Sequence, residues 1–268
     1  MKDLKSRFGF HTIPFTRELK TDDRFELEPF AEALDALVRT VEQRQSCALI
    51  APCGTGKTAL LRALVAQLPE ARYRIHYVKV ANIGKRDMCR EIATALGCQA
   101  AGSFPTLVRR LQERCLQAQD QDGLRPVLIL DDAHEMRLEV LGMLRVITNF
   151  EMDSRLVLSI VIAGQLPLRE VLKRDQVEDV AKRIAHYATL RTLSRDETES
   201  YVRHRCTVAG ARSLPFDARA LDAVFEIGRG NLRATDGLCL KTLEVAHDQD
   251  KDVCDQNHVV VARKLLWP

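Results

Sequence analysis

Ten residues, Leu49-Ile50-Ala51-Pro52-Cys53-Gly54-Thr55-Gly56-Lys57-Thr58, constrain this chain more than any other stretch. A short apolar run leads into them and a helical pattern, Ala59 to Leu68, leads out. A strand, a glycine turn and a helix in that order bring consecutive backbone N–H groups and the positive end of a helix to one point, which suits phosphate oxygens. The spacing approaches G-x-x-x-x-G-K-[ST], in which the lysine reaches the outer phosphates and the hydroxyl meets a Mg²⁺ ion. Ala51 stands where the first glycine is usual, and alanine is the smallest replacement. The expectation is a cradle for ATP and Mg²⁺ made of Pro52, Cys53, Gly54, Thr55, Gly56, Lys57, Thr58 and Ala59, with Thr58 on the metal.

A second half of such a site stands at Val127-Leu128-Ile129-Leu130-Asp131-Asp132, an unbroken apolar run that reads as a buried parallel strand ending in two carboxylates. Asp131 is placed to hold Mg²⁺ and Asp132 to orient the attacking water. Asp132 also fits as an N-cap for a helix beginning near His134. Gln165 ends a further apolar run, Leu156 to Ala163, and would lie beside those carboxylates, sensing γ-phosphate or water.

The remaining pattern decides the architecture. Helical spacing over Pro29 to Glu42, a β-rich Tyr73 to Val80, helices near Asp87 to Leu96, Phe104 to Ala118 and Leu168 to Asp179, and a β-like His186 to Leu190 alternate along the chain. That alternation predicts an α/β, doubly wound parallel sheet with helices on both faces. After Leu193 only helical periods follow, beginning with the capping box Ser194 to Glu197. The expected domains are 1–193, α/β and nucleotide-binding, and 194–268, a small helical lid. Phe8, Phe10 and Phe15 lie in a stretch broken by glycine and proline, 1–28, expected either against the adenine ring or as a cap on the core.

Composition sets bounds. Of 268 residues 46% are hydrophobic and 29% charged, a globular balance, and the formal net charge of +3 is too mild to mark a nucleic-acid binder by itself. Positive charge is local: residues 72–90 carry Arg72, Arg74, Lys79, Lys85, Arg86 and Arg90 against Asp87. Lys85 and Arg86, in an expected loop after Gly84, are candidate contacts to duplex DNA, with Ser103 and Thr106 before the next helix as weaker ones; a solvated basic face is the plainer alternative. Those loops lack the amide and aromatic interleaving that reads bases, so contact would be with the phosphate backbone, independent of sequence. Eight cysteines without a C-x-x-C pair read as buried thiols of a cytoplasmic protein. The apolar runs fall far short of the roughly 20 residues a membrane span needs.

With these pieces in order the chain resembles the AAA+ ATPases, in particular the group of ExeA-type proteins and the transposition ATPases TnsC, TniB, IstB and Mu B. The residues that carry the resemblance are Phe8-Gly9-Phe10 with Pro14-Phe15, Leu128 to His134, and Ile162-Ala163-Gly164-Gln165. It implies that Gln165 is the first sensor, that Arg183 is an arginine finger offered to a neighbouring subunit, and that Arg233 holds the second sensor position. Arg183 paired with a surface carboxylate and Arg233 in solvent are the alternatives. It further implies a homo-oligomer, ring or helical filament, on duplex DNA, with a transposase as partner and no membrane. An ExeA-like ATPase for membrane or secretion assembly, or other protein remodelling, is the second expectation. An aspartate at 132 departs from the glutamate usual in the family and implies slow hydrolysis.

Overall fold

The computed structural model describes residues 2–16, 18 and 23–267, and they fall into two compact units. One, residues 28–52 and 57–190, is built on a sheet. The other is helical and comprises the described residues up to Leu27, the loop Cys53–Gly56 and the chain from Arg191 on.

The helical unit begins with α1, Lys2–Phe8. The sheet unit begins with α2, Glu28–Glu42, and continues β1, Ser46–Ile50, α3, Lys57–Gln67, β2, Tyr73–Lys79, α4, Lys85–Ala95, α5, Phe104–Asp120, β3, Arg125–Asp131, a 3₁₀ turn at Ala133–Glu135, α6, Leu138–Ile147, β4, Ser159–Gly164, α7, Pro167–Leu172, a second 3₁₀ turn at Asp175–Val177, α8, Glu178–Ala181, and β5, Ile184–Thr189. The five strands are parallel in the order β2-β3-β4-β1-β5. β1, β3 and β4 are the inner strands and are buried on both faces, which is why their sequences are continuous apolar runs rather than alternating ones. The edge strands β2 and β5 mix buried with exposed residues, and β5 alternates them. The α/β parallel fold expected from the sequence is the one observed, and it sets the ends of β1, β3 and β4 side by side: Ile50 is in register with Gly164, and Lys79 of β2 with Asp131.

The helical unit adds α9, Arg195–Val208, α10, Ala218–Gly228, α11, Leu232–Asp248, and α12, Gln256–Leu266. All four of these starts are fixed by side-chain caps, Ser194, Asp217, Asn231 and Asp255, and the Ser194–Glu197 capping box forms as the sequence predicts. Burial pushes Asp236 up to about 6, against the pull of the Arg205 guanidinium, from which it accepts two hydrogen bonds at 3.2 Å. Tyr201 donates to the same carboxylate at 2.8 Å, and Arg205 also donates to Thr16 O at 2.8 Å.

Four sequence expectations need correction. The N-terminal segment does not group with the sheet domain: Phe8, Phe10 and Phe15 pack into a core with Val202, Phe216 and Leu238, so residues up to Leu27 belong to the helical unit, and part of the stretch is helix α1. Lys85 and Arg86 are not in a loop. Gly84 is the N-cap and both lie in the first turn of α4, where positive charge opposes the helix dipole; the Phe104 ring and the Gly102 carbonyl hold them there. The single helix read over Leu168 to Asp179 is broken, because Arg174 is extended (ψ 139°) between α7 and the second 3₁₀ turn. Cys53 is exposed and Cys98 half-buried; the other six cysteines are buried.

Candidate nucleotide site

In the sheet unit, the end of β1 delivers Ala51 and Pro52, and α3 opens on Lys57 and Thr58. Lys57 is buried, at 8% exposure, and its Nζ donates to Ala51 O at 3.3 Å and Pro52 O at 3.2 Å. Gly54 (φ 76°) and Gly56 (φ 97°) take left-handed conformations that other residues resist. Gly54 is required on a second count within the helical unit, since a Cβ there would lie 2.3 Å from Asn231 Oδ1. Asn231 caps α11 through Ala234 N–H while its amide donates to Cys53 O, and Arg233 N–H donates to Gly54 O at 3.2 Å. The exposed Arg233 guanidinium reaches Cys53 Sγ at 3.6 Å.

Asp131 closes β3 with 4% exposure. Its carboxylate accepts from Tyr77 OH at 3.1 Å, Thr58 Oγ1 at 3.4 Å and the Asp132 N–H at 2.9 Å. All three donors are neutral. A buried carboxylate that accepts from neutral donors suits a bound cation, so Thr58 and Asp131 fit Mg²⁺, and Lys57, held by the Ala51 and Pro52 carbonyls, fits a phosphate oxygen. Burial, then the Asp131 charge, pushes the Tyr77 phenol up to about 12.

Asp132 has left-handed backbone (φ 57°), a strained conformation of the kind found at functional positions. Its side chain makes no capping hydrogen bond to the 3₁₀ turn it precedes; Lys79 Nζ lies 3.6 Å away instead. Gln165 sits one residue past β4 and donates from Nε2 to His134 Nε2 at 2.8 Å. Sequence reasoning missed roles for Tyr77, Lys79, His134 and Asn231. For the first two the signal was present, since alternation in β2 places 77 and 79 on one face.

The four DNA candidates come together at one corner of the sheet unit. Lys85 Nζ stands 4.2 Å from the Phe104 ring centroid, and Arg86 donates twice to Gly102 O, at 3.2 and 3.0 Å. Ser103 and Thr106 hydroxyls are 2.9 Å apart. Arg90 and Arg110 donate to Ala100, Gln99 and Ala101 carbonyls of the same loop. Arg183, just before β5, is held elsewhere in this unit by a two-pronged pair with Asp153, one contact at 2.7 Å. It lines a surface cavity of about 850 Å³ with Arg145, Asp179 and Lys182.

A parallel sheet with this strand order, a glycine-lysine loop after β1 and a metal-ready carboxylate after β3 defines a P-loop ATPase. The profile of the family described as AAA domain matches residues 39–172, and the chain belongs to that family. It is an ATPase domain. It is also 28% identical over 242 residues to General secretion pathway protein A of Aeromonas hydrophila, an alignment covering 89% of this chain and 44% of that protein, so the chain spans under half of that relative's length. Two solved structures share the fold: Aeropyrum pernix ORC2, TM-score 0.71 at 17% identity over 94% of this chain and 70% of that one, and A. pernix ORC1 in complex with DNA, TM-score 0.66 at 17% identity over 91% and 67%.

Proposed function

We propose that this ATPase domain binds Mg²⁺–ATP, assembles with further copies of itself into a ring or helical filament, and in that state lies on duplex DNA, where it selects a target and activates a transposase. Thr58 and Asp131 would hold the metal, whose charge offsets that of the phosphates. Lys57 and the glycine loop orient the outer phosphates, while Asp132 and Gln165 orient water for a slow hydrolysis. Arg183 serves the next subunit's site and Arg233 acts as second sensor. This reading puts the protein in the cytoplasm.

The observation that carries the DNA half is the basic corner. Lys85, Arg86, Arg90 and Arg110 gather about one loop, and among the described residues Lys85, Arg86 and Arg110 meet no carboxylate; Arg90 lies 3.5 Å from Asp87. A guanidinium has five N–H donors, so those that grip loop carbonyls retain others for phosphate. The likeness to ORC1, solved in complex with DNA, supports the reading.

Gel-shift titrations with a non-hydrolysable ATP analogue at several salt concentrations test it. The parent is expected to bind duplexes of unrelated sequence, more weakly as salt rises. A Lys85→Ala, Arg86→Ala double variant is expected to lose affinity and flatten the salt slope by about 1 for each phosphate that the variant no longer neutralises. No retention in any nucleotide state would overturn it. A second reading, an ATPase for secretion or membrane assembly, is favoured by the 28% identity to the secretion pathway protein. Among the described residues no helix is long and apolar enough to cross a membrane.

A further inference from the structure

His134 lies two residues beyond Asp132, in the first 3₁₀ turn, with its side chain 11% exposed. Its Nε2 faces Gln165 Nε2 at 2.8 Å. A carboxamide nitrogen only donates, so the ring nitrogen opposite accepts, and the ring carries its proton on Nδ1. Nδ1 is buried and among the described residues has no partner, so the contact with Gln165 is the one well-placed hydrogen bond of the imidazole; Glu135 Oε1 is at 3.5 Å from the same nitrogen. The approach of the turn to β4 depends on Gly164, where a Cβ would come within 3.1 Å of the His134 backbone nitrogen and 2.7 Å of Leu168 Cδ2.

The consequence is chemical. One N–H of the Gln165 amide is held by His134, which fixes the direction of the amide and leaves its oxygen and its second N–H for other partners. The oxygen accepts from a water molecule, and the remaining N–H donates to water or to a phosphate oxygen. We infer that His134 is a positioning residue: by accepting from Gln165 it fixes the direction in which the Gln165 amide is presented, and so holds Gln165 in place for orienting the attacking water. The inference rests on Gln165 acting in hydrolysis, as proposed above. It also links the Asp131-Asp132 segment to the β4 terminus through one side-chain contact, so the two water-orienting groups hold a common register.

Steady-state ATP hydrolysis by the full chain tests this, with kcat and KM separated and nucleotide affinity measured independently by calorimetry. His134→Leu fills the ring's space without an acceptor; it is expected to lower kcat by about ten- to a hundredfold, the usual cost of a displaced reacting group, with KM and affinity within about twofold. Gln165→Ala is expected to fall similarly, and the double variant no further than the slower single. His134→Gln offers an amide oxygen to Gln165 and is expected to recover most of the loss, which a purely structural role for the ring does not explain. Parental kcat in His134→Leu with a slow Gln165→Ala overturns the inference alone, as do multiplicative effects in the double variant or a His134→Gln no faster than His134→Leu. Parental kcat in Gln165→Ala overturns the reading of Gln165 itself. Should His134→Leu fail to fold, the comparison of His134→Gln with Gln165→Ala still decides: a folded His134→Gln as slow as Gln165→Ala overturns the inference.

Discussion

Lys79 Nζ stands 3.6 Å from the Asp132 carboxylate, so the residue proposed to orient water is restrained by a cation on the neighbouring edge strand. The pair is exposed on the lysine side, at 71%, and such pairs contribute at most about 1 kcal/mol. Lys79→Ala is therefore expected to release Asp132 and raise basal turnover by up to about fivefold, the equivalent of that energy, with nucleotide affinity unchanged. A malachite-green phosphate assay with and without the substitution reads this; a fall in turnover would mean that Lys79 orients Asp132 productively.

Lys57 is buried against the carbonyls of its own loop and Asp131 against neutral donors. Lys57→Ala is expected to abolish ATP binding by calorimetry. Thr58→Ala is expected to keep nucleotide binding but to weaken its Mg²⁺ dependence, since one hydroxyl leaves the metal while the phosphate cradle stays. Equal Mg²⁺ titration curves for Thr58→Ala and parent would take Thr58 off the metal.

What the sequence disclosed here follows from which interactions are local. The inner strands show as apolar runs because both faces are buried, and the candidate residues Lys57, Thr58, Asp131 and Gln165 could be placed at or just past their ends from pattern alone. Asn231 and Ser194 illustrate the same point, a cap lying next to the helix it starts. Partners distant in sequence stayed hidden. Nothing near Arg183 points to Asp153, 30 residues earlier, and nothing in Phe8 or Phe15 says whether sheet or helices will bury the ring. Lys85 and Arg86 looked like loop residues because two cations disfavour a helix start; a ring and a carbonyl contributed by residues 102–104 reverse that preference.

Asp236 gives the helical unit an unusual pH dependence. Its folded value, about 6, is raised above the ordinary 3.8 by burial, so between those values the folded chain keeps a proton that the unfolded chain loses. The stability tied to this proton is fully present below about 3.8 and declines as pH rises through 6. Urea denaturation of the parent and Asp236→Asn at pH 4.5 and 7 reads it. The parent's advantage over the variant is expected to shrink by on the order of 2 kcal/mol toward pH 7. A constant difference would show that Arg205 keeps Asp236 ionised throughout.

The two-pronged pair between Arg183 and Asp153 bears on assembly. Asp153 is the last of three consecutive residues with left-handed backbone, Glu151, Met152 and Asp153, at φ 48°, 57° and 70°, a conformation that costs each of them energy. The pair uses the donors Arg183 would offer to a phosphate of another subunit, and holds the Asp153 carboxyl below the usual carboxylate range, chiefly through its hydrogen bonds with Arg183. Folded and unfolded values thus both lie below neutral pH, and the pair stays formed wherever the ATPase is assayed. If Arg183 completes the site of a neighbour, it exchanges Asp153 for phosphate on assembly, and head-to-tail contacts of this kind give rings or filaments. Arg183→Ala is then expected to bind ATP as the parent does and to lose the rise in specific activity with protein concentration. Asp153→Ala, which leaves the arginine unpaired, is expected to reach that raised activity at a lower concentration. Sedimentation and turnover measured across the same concentration series check both, and an Asp153→Ala variant that needs more protein than the parent would place the pair in the assembled state rather than before it.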